Sequence, residues 1–172
     1  MSEADSAPHQ HRSYAPDSVN CWVLTVSDSR SAESDTSGKL IEEKLEAAGH
    51  RALARRIVPD EPEAIRTALK RAIVLPEVDA ALVTGGTGVS PRDRTPEAVA
   101  PLLDKVLDGF GELFRALSYA EIGPAAMLSR ALAGSAGGTA IYVMPGSRAA
   151  VALALDRLIL PEICHLVGQL RR

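Results

Sequence analysis

The chain has 172 residues, of which 46% are hydrophobic and 24% charged, the make-up of a globular protein whose length favours one domain over two. Lys and Arg number 19 against 22 Asp and Glu, a net charge of −3, and aromatic residues are 3% of the chain. Both figures argue against a nucleic-acid partner, which needs a basic face or stacking platforms.

Residues 1–18 are polar, contain proline and show no periodicity, so a disordered tail is expected before a domain over 19–172. The tail carries acidic residues and no apolar stretch of signal-peptide type. No segment has the roughly 18 apolar residues of a membrane span, and the expected setting is reducing and cytoplasmic. Cys21 to Val26 reads as a strand buried on both faces. A polar loop follows, then a helix from Thr36 to about Ala48, with Leu40, Ile41, Leu45 and Ala48 as its inward stripe and Gly49 as its stop. Ala52 to Val58 reads as a second strand interrupted by arginines. Beyond Pro59-Asp60-Glu61-Pro62, the positions Ile65, Ala68, Leu69, Ala72 and Ile73 make a helical face.

Asp79 to Val83 is a third apolar strand. Thr95 before Pro96 reads as an N-cap for a helix reaching about Leu102. Residues 109–130 look helical but broken at Gly123-Pro124, Thr139 to Val143 reads as another strand, and a last helix begins near Ser147 and is interrupted by Pro161. Val151, Leu155, Leu158 and Ile159 should face its core. Strands alternating with helices predict an α/β fold of three layers, a largely parallel sheet with helices on both faces. Ligands in such folds bind beyond the carboxyl ends of the strands.

The loops at those ends carry the chemical signal. Thr84-Gly85-Gly86-Thr87-Gly88 follows a buried strand and leads to a helix, so glycine backbone can turn N–H groups toward an anion while the helix N-terminus faces the same space. It lacks the ending of a P-loop and the third glycine of a dinucleotide fingerprint. Arg92 and Arg94 add positive charge, and Asp93 between them suits a phosphate site only if a cation such as Mg²⁺ lies between. Asp60 reads either as a helix cap or as a second acid on the same sheet edge, since a right-handed crossover brings it there. Pro145-Gly146-Ser147-Arg148 is either a capped turn or a second phosphate nest; Asp35, Ser37 and Gly38 repeat the device after the first strand. Cys21, Cys164 and the histidines are too scattered for a zinc site or a nucleophilic constellation.

TGGTG followed by PRD and TPEA resembles the molybdopterin-binding MogA/MoaB family, and TVSDSR, DTSG, VPDE, GFGELFR, LSRA and MPGS match it in order from about Cys21 onward, closer to the MoaB branch. The resemblance implies a three-layer α/β fold assembling as a homotrimer or hexamer. It further implies Mg²⁺-dependent adenylylation of molybdopterin by ATP, with release of pyrophosphate and possible contact with other molybdenum-cofactor enzymes. Asp60 and Asp93 would then be the catalytic, Mg²⁺-holding pair. Asp35, Ser37, Gly38, Thr84, Gly85, Gly86, Thr87, Gly88, Arg92, Pro145, Gly146, Ser147 and Arg148 would bind the two substrates, with the pterin and nucleotide sides left open. Glu112 and Ser129 are family-pattern positions without a derived role, and Glu112 reads equally as a solvated helix residue. The rival reading is a non-catalytic molybdopterin binder, carrier or scaffold of the same pathway.

Overall fold

The computed structural model describes residues 15–172, so the disordered tail expected over 1–18 lies for residues 1–14 outside the described residues. Strands β1 (Asn20–Val26), β2 (Arg51–Val58), β3 (Ala80–Thr84), β4 (Lys105–Val106), β5 (Leu132–Ala136) and β6 (Thr139–Met144) form one sheet in the order β2-β1-β3-β6-β5-β4. The first four in that order are mutually parallel, and β5 and β4 add an antiparallel edge. The helices are α1 (Thr36–Ala47), α2 (Pro62–Val74), α3 (Thr95–Val99), α4 (Asp108–Ile122), α5 (Arg148–Ala154) and α6 (Leu160–Leu170).

Alternation along the central strands builds two cores. Cys21, Val23, Leu82 and Tyr142 pack with Ile41 and Leu45 of α1, Phe114 of α4, Val151 of α5 and Ile163 of α6. Trp22, Leu24, Val83 and Ile141 face the other way, toward Ile65 and Leu69 of α2 and Ala98 and Val99 of α3. Both faces of β1, β3 and β6 are therefore apolar, as a sheet covered by helices on both sides requires. Truncating the fully buried Leu82 to alanine should cost about 2–5 kcal/mol.

Local chemistry explains where elements begin and end. Gly49 has φ +83°, and the N–H groups of Gly49 and His50 return to Glu46 and Leu45 at 3.0 and 2.8 Å. That is a Schellman ending, which only glycine accommodates without strain. It leaves Ala48 exposed, so Ala48 is not part of the inward stripe. The arginines of β2 belong to an edge strand, where charge protects open backbone; Arg55 pairs with Asp35 at 3.0 Å and Glu42 at 2.7 Å.

Three expectations need correction. The N-cap of α3 is Arg94, without a side-chain bond, while Thr95 is already helical and Pro96 second. The sequence reading missed β4 and β5; Gly137 and Gly138, at φ +56° and +84°, make the tight hairpin turn into β6. Finally, Pro161 does not break the last helix. One wide turn over Leu155–Ile159, closed by the Leu160 N–H on the Leu155 carbonyl, joins α5 to α6. The added residue accommodates proline's missing N–H and its clash with the preceding turn.

Candidate active site at the carboxyl edge of the parallel strands

The carboxyl ends of β2, β1, β3 and β6 lie side by side, Val26 beside Val58, Thr25 beside Thr84 and Thr84 beside Met144. The loops leaving them are held in mutual contact. Gly85 donates its N–H to Met144 at 3.1 Å, and its φ of +103° sets its missing side chain against the carbonyl of Val26. Thr84 Oγ1 donates to the Pro145 carbonyl at 3.0 Å and Ser37 Oγ to the Gly146 carbonyl at 2.7 Å. A Cβ on Gly146 would lie 3.3 Å from the Cα of Gly85. These two glycines form the seam between two cavities.

The larger cavity, about 410 Å³, is lined by Gly85 to Gly88, Asp93, Ser129 and Pro145 to Ser147 on its polar side, and by Phe114, Ile122 and Ala126 on its apolar side. The smaller, about 270 Å³, is polar and lined by Thr25, Ser27, Ser29, Arg30, Asp35, Ser37 and Thr84. Gly85 and Gly146 border both. Among the described residues, the backbone N–H groups of Gly86, Thr87 and Gly88 have no acceptor. Unpaired N–H groups at the wall of a cavity are the requirement for holding an anion.

The two acids sit against this loop. Asp60, 8% exposed, accepts the Arg94 N–H through Oδ1 at 3.2 Å, and a Cβ on Gly86 would meet its Oδ2 at 2.8 Å. Asp93 accepts the Ser90 N–H at 2.9 Å and stands equally close to Gly88. Burial pushes the Asp60 carboxyl above the usual carboxylate range; the Arg94 N–H opposes the shift, and the charges of Asp93 and Asp28 add to it. Asp60 does not cap α2, whose N-cap is Glu61 without a side-chain bond.

Other expected site residues divide. Asp35 and Ser37 border the smaller cavity, but the Asp35 carboxylate is committed to the Gly38 N–H at 2.9 Å, the Thr25 hydroxyl at 2.8 Å and Arg55. Gly38 lies beneath that carboxylate and reaches neither cavity. Ser147 lines the larger cavity and also caps α5 by accepting the Ala150 N–H at 3.3 Å. Arg92 turns away from the loop to Asp28 at 2.6 Å and Glu61 at 3.4 Å. Arg148 and Glu112 are exposed and line neither cavity.

Three residues escaped the sequence reading. Asp28 accepts the Asp60 N–H at 3.0 Å while pairing with Arg92, so it joins the loops after β1, β2 and β3. Arg30 brings positive charge to the smaller cavity. Arg130 donates to the carbonyls of Gly88 at 2.9 Å and Asp93 at 2.6 Å. Asp28 and Arg30 stand inside TVSDSR and Arg130 inside LSRA, segments whose motif positions were the available signal.

Together these features define an open-sheet α/β protein with a glycine loop of unpaired N–H groups at its strand ends, two acids beside it and paired cavities across a glycine seam. Residues 22–165 match the model of a family described as a probable molybdopterin binding domain. The chain is 49% identical over 164 residues to molybdenum cofactor biosynthesis protein B of Bacillus subtilis (strain 168), covering 95% of this chain and 96% of that protein. A crystal structure of a molybdenum cofactor biosynthesis protein B matches with a TM-score of 0.89 at 48% identity, over 92% of this chain and 99% of the other. The crystal structure of the tungsten cofactor synthesizing protein MoaB from Pyrococcus furiosus matches with a TM-score of 0.83 at 38% identity, over 92% and 100%. The chain belongs to the molybdopterin-binding family of molybdenum cofactor biosynthesis proteins. No helix among the described residues is long and apolar enough to cross a membrane.

Proposed function

We propose that this protein adenylylates molybdopterin with ATP, releasing pyrophosphate. The observation that carries the reading is the placement of Asp60 against Gly86 and of Asp93 against Gly88, in the loop whose Gly86, Thr87 and Gly88 N–H groups have no acceptor among the described residues. Asp93 lines the larger cavity, and Asp60 stands behind the loop, lining neither cavity. Acids beside an anion nest are repulsive unless a cation intervenes, and two carboxylates with substrate phosphates are the usual donor set for Mg²⁺. The donors fit: both are hard oxygens, and Asp60 Oδ2 has no partner among the described residues; two carboxylates would need substrate phosphate oxygens and water to complete the set. When bound, Mg²⁺ would neutralise charge on the departing pyrophosphate.

In this reading the Gly86, Thr87 and Gly88 N–H groups hold the triphosphate, and the two cavities receive the two ring systems across the Gly85–Gly146 seam. A phosphate oxygen of the pterin attacks the α-phosphorus of ATP. The bond from that phosphorus to the bridging oxygen breaks, and the electron pair leaves with pyrophosphate. The attacking phosphate is already ionised at neutral pH, so no general base is required; alignment and charge neutralisation supply the rate. Arg92, committed to Asp28 and Glu61, orders the acid loops rather than touching phosphate. Tyr119, Ile122, Met127 and Leu128, each more than half exposed, give an apolar strip beside the larger cavity that supports assembly as a homotrimer or hexamer, readable by sedimentation.

Incubating the protein with molybdopterin, ATP and Mg²⁺ tests the reading. The expected products are adenylylated molybdopterin and pyrophosphate, neither forming when Mg²⁺ is chelated. Molybdopterin binding without product would leave the carrier reading in its place.

A further inference from the structure

Thr95 is wholly buried at the first residue of α3, and its Oγ1 has no hydrogen-bond partner among the described residues. A buried hydroxyl in that condition is destabilising, and such atoms are uncommon enough to call for an explanation. The backbone at this point is already committed, with the Thr95 N–H on the Gly86 carbonyl at 3.1 Å. Only the hydroxyl is unused.

Its surroundings name the partner. Thr95 Oγ1 and Asp60 Oδ2 both lie within 2.8 Å of the position that a Cβ on Gly86 would occupy. Asp60 Oδ1 is engaged by the Arg94 N–H, which leaves Oδ2 unmet. An O–H donor and a carboxylate acceptor thus border one space, kept open by the absence of a side chain on Gly86, without a hydrogen bond between them in the free protein. The backbone φ of +65° there suits glycine and directs that open space at the pair.

We propose that Thr95 is a positioning residue: with a magnesium nucleotide in the loop, its hydroxyl donates to Oδ2 of Asp60, directly or through one water, and holds that carboxylate against Gly86. The inference rests on the magnesium-nucleotide reading above and adds a residue to it. A carboxylate oxygen has lone pairs for both a hydroxyl donor and a cation, so the two contacts do not compete. In the free protein the hydroxyl is a liability; in the bound state it restrains the acid.

The opposite signs of those two effects make the test. Thr95→Val keeps the shape and removes the hydroxyl, and Thr95→Ser keeps the hydroxyl and removes a methyl. The free proteins are compared by calorimetric melting, and binding of α,β-methylene-ATP with Mg²⁺ is measured by isothermal titration. Thr95→Val should melt no lower than the wild type and bind the analogue about tenfold more weakly, the loss expected for a hydrogen bond to a charged group. Thr95→Ser should bind within about twofold of the wild type on the same scale. A valine variant that melts lower and binds normally would assign Thr95 to packing and overturn the inference, as would failure of the serine variant to bind. If the wild type does not bind the analogue, the functional reading falls and takes the inference with it. If the wild type and valine variant bind equally, only the inference falls.

Discussion

Arg130 Nε donates to the carbonyl oxygen of Gly88 at 2.9 Å, tying the segment after α4 to the glycine loop. The same guanidinium reaches the Asp93 carbonyl at 2.6 Å, and the Arg130 N–H reaches the Thr87 carbonyl at 3.2 Å. One residue thereby holds both limbs of the loop, the glycines that face the cavity and the turn that carries the acid. These are charge-assisted bonds to backbone oxygens, and the planar fork matters because a single ammonium does not span both acceptors.

Replacing Arg130 by methionine should lower stability by about 2 kcal/mol through loss of those bonds, read from urea unfolding. Nucleotide affinity should fall as the loop loosens. Arg130→Lys should recover little of either. Full recovery by lysine would show that charge, not the two-point geometry, is what the loop requires.

Asp93→Asn separates charge from structure. The Ser90 N–H that Asp93 accepts can still be accepted by an amide oxygen, so the turn and the melting temperature should persist. Turnover should fall at least about a hundredfold, the usual scale for loss of a key electrostatic group. Asp60→Asn should do the same to turnover, with a gain in stability at neutral pH because burial disfavours the Asp60 charge. Undiminished product formation by either variant would remove the acid pair from the mechanism.

How much of this was legible in the chain follows from the physics of each signal. Strands β1, β3 and β6 were visible because each is a largely continuous apolar run, β2 less plainly because arginines interrupt it, and the loops after them because glycine, proline and acids cluster at strand ends. Strand β5, by contrast, reads Leu-Ala-Gly-Ser-Ala and contains no β-branched or aromatic residue. Its strand state comes from pairing with β6, a tertiary fact, although Gly137-Gly138 was a readable hairpin sign. Thr95 looked like an N-cap by residue type, yet its backbone is already helical and its hydroxyl turns inward beside Gly86. Arg92 looked like a phosphate partner by spacing. Asp28 and Glu61 reach it from other loops, and such pairings carry no sequence period.

Gly86 offers a second test of the loop. At φ +65° any side chain is strained, by about 1–2 kcal/mol, and a Cβ would also be driven into Thr95 Oγ1 and Asp60 Oδ2. Gly86→Ala should therefore destabilise the protein and displace the Asp60 carboxylate, abolishing nucleotide binding. Gly109, in the first turn of α4, has nothing within 4 Å of its own Cβ position and no positive φ. Gly109→Ala should be neutral or stabilising by up to about 1 kcal/mol. A chemical-denaturation comparison of the pair distinguishes loop strain from a general cost of added methyls.

The Schellman ending of α1 gives the last prediction, one of pH. It places His50 just beyond Gly49, at the position that commonly packs back on the helix. The residue is 7% exposed with Nδ1 unpartnered among the described residues. Burial lowers its pKa below the ordinary histidine value, so the neutral ring is favoured in the fold. Above the unfolded pKa of about 6.5 both states are neutral and the contribution is complete. As pH falls below that value the unfolded chain takes up the proton first, and stability drops until the folded ring also titrates. Urea midpoints at successive pH values from neutrality downward should fall more steeply for the wild type than for His50→Gln, which cannot titrate. Parallel curves would mean that folding leaves the imidazole's proton affinity unchanged, and that its burial costs the charged form nothing.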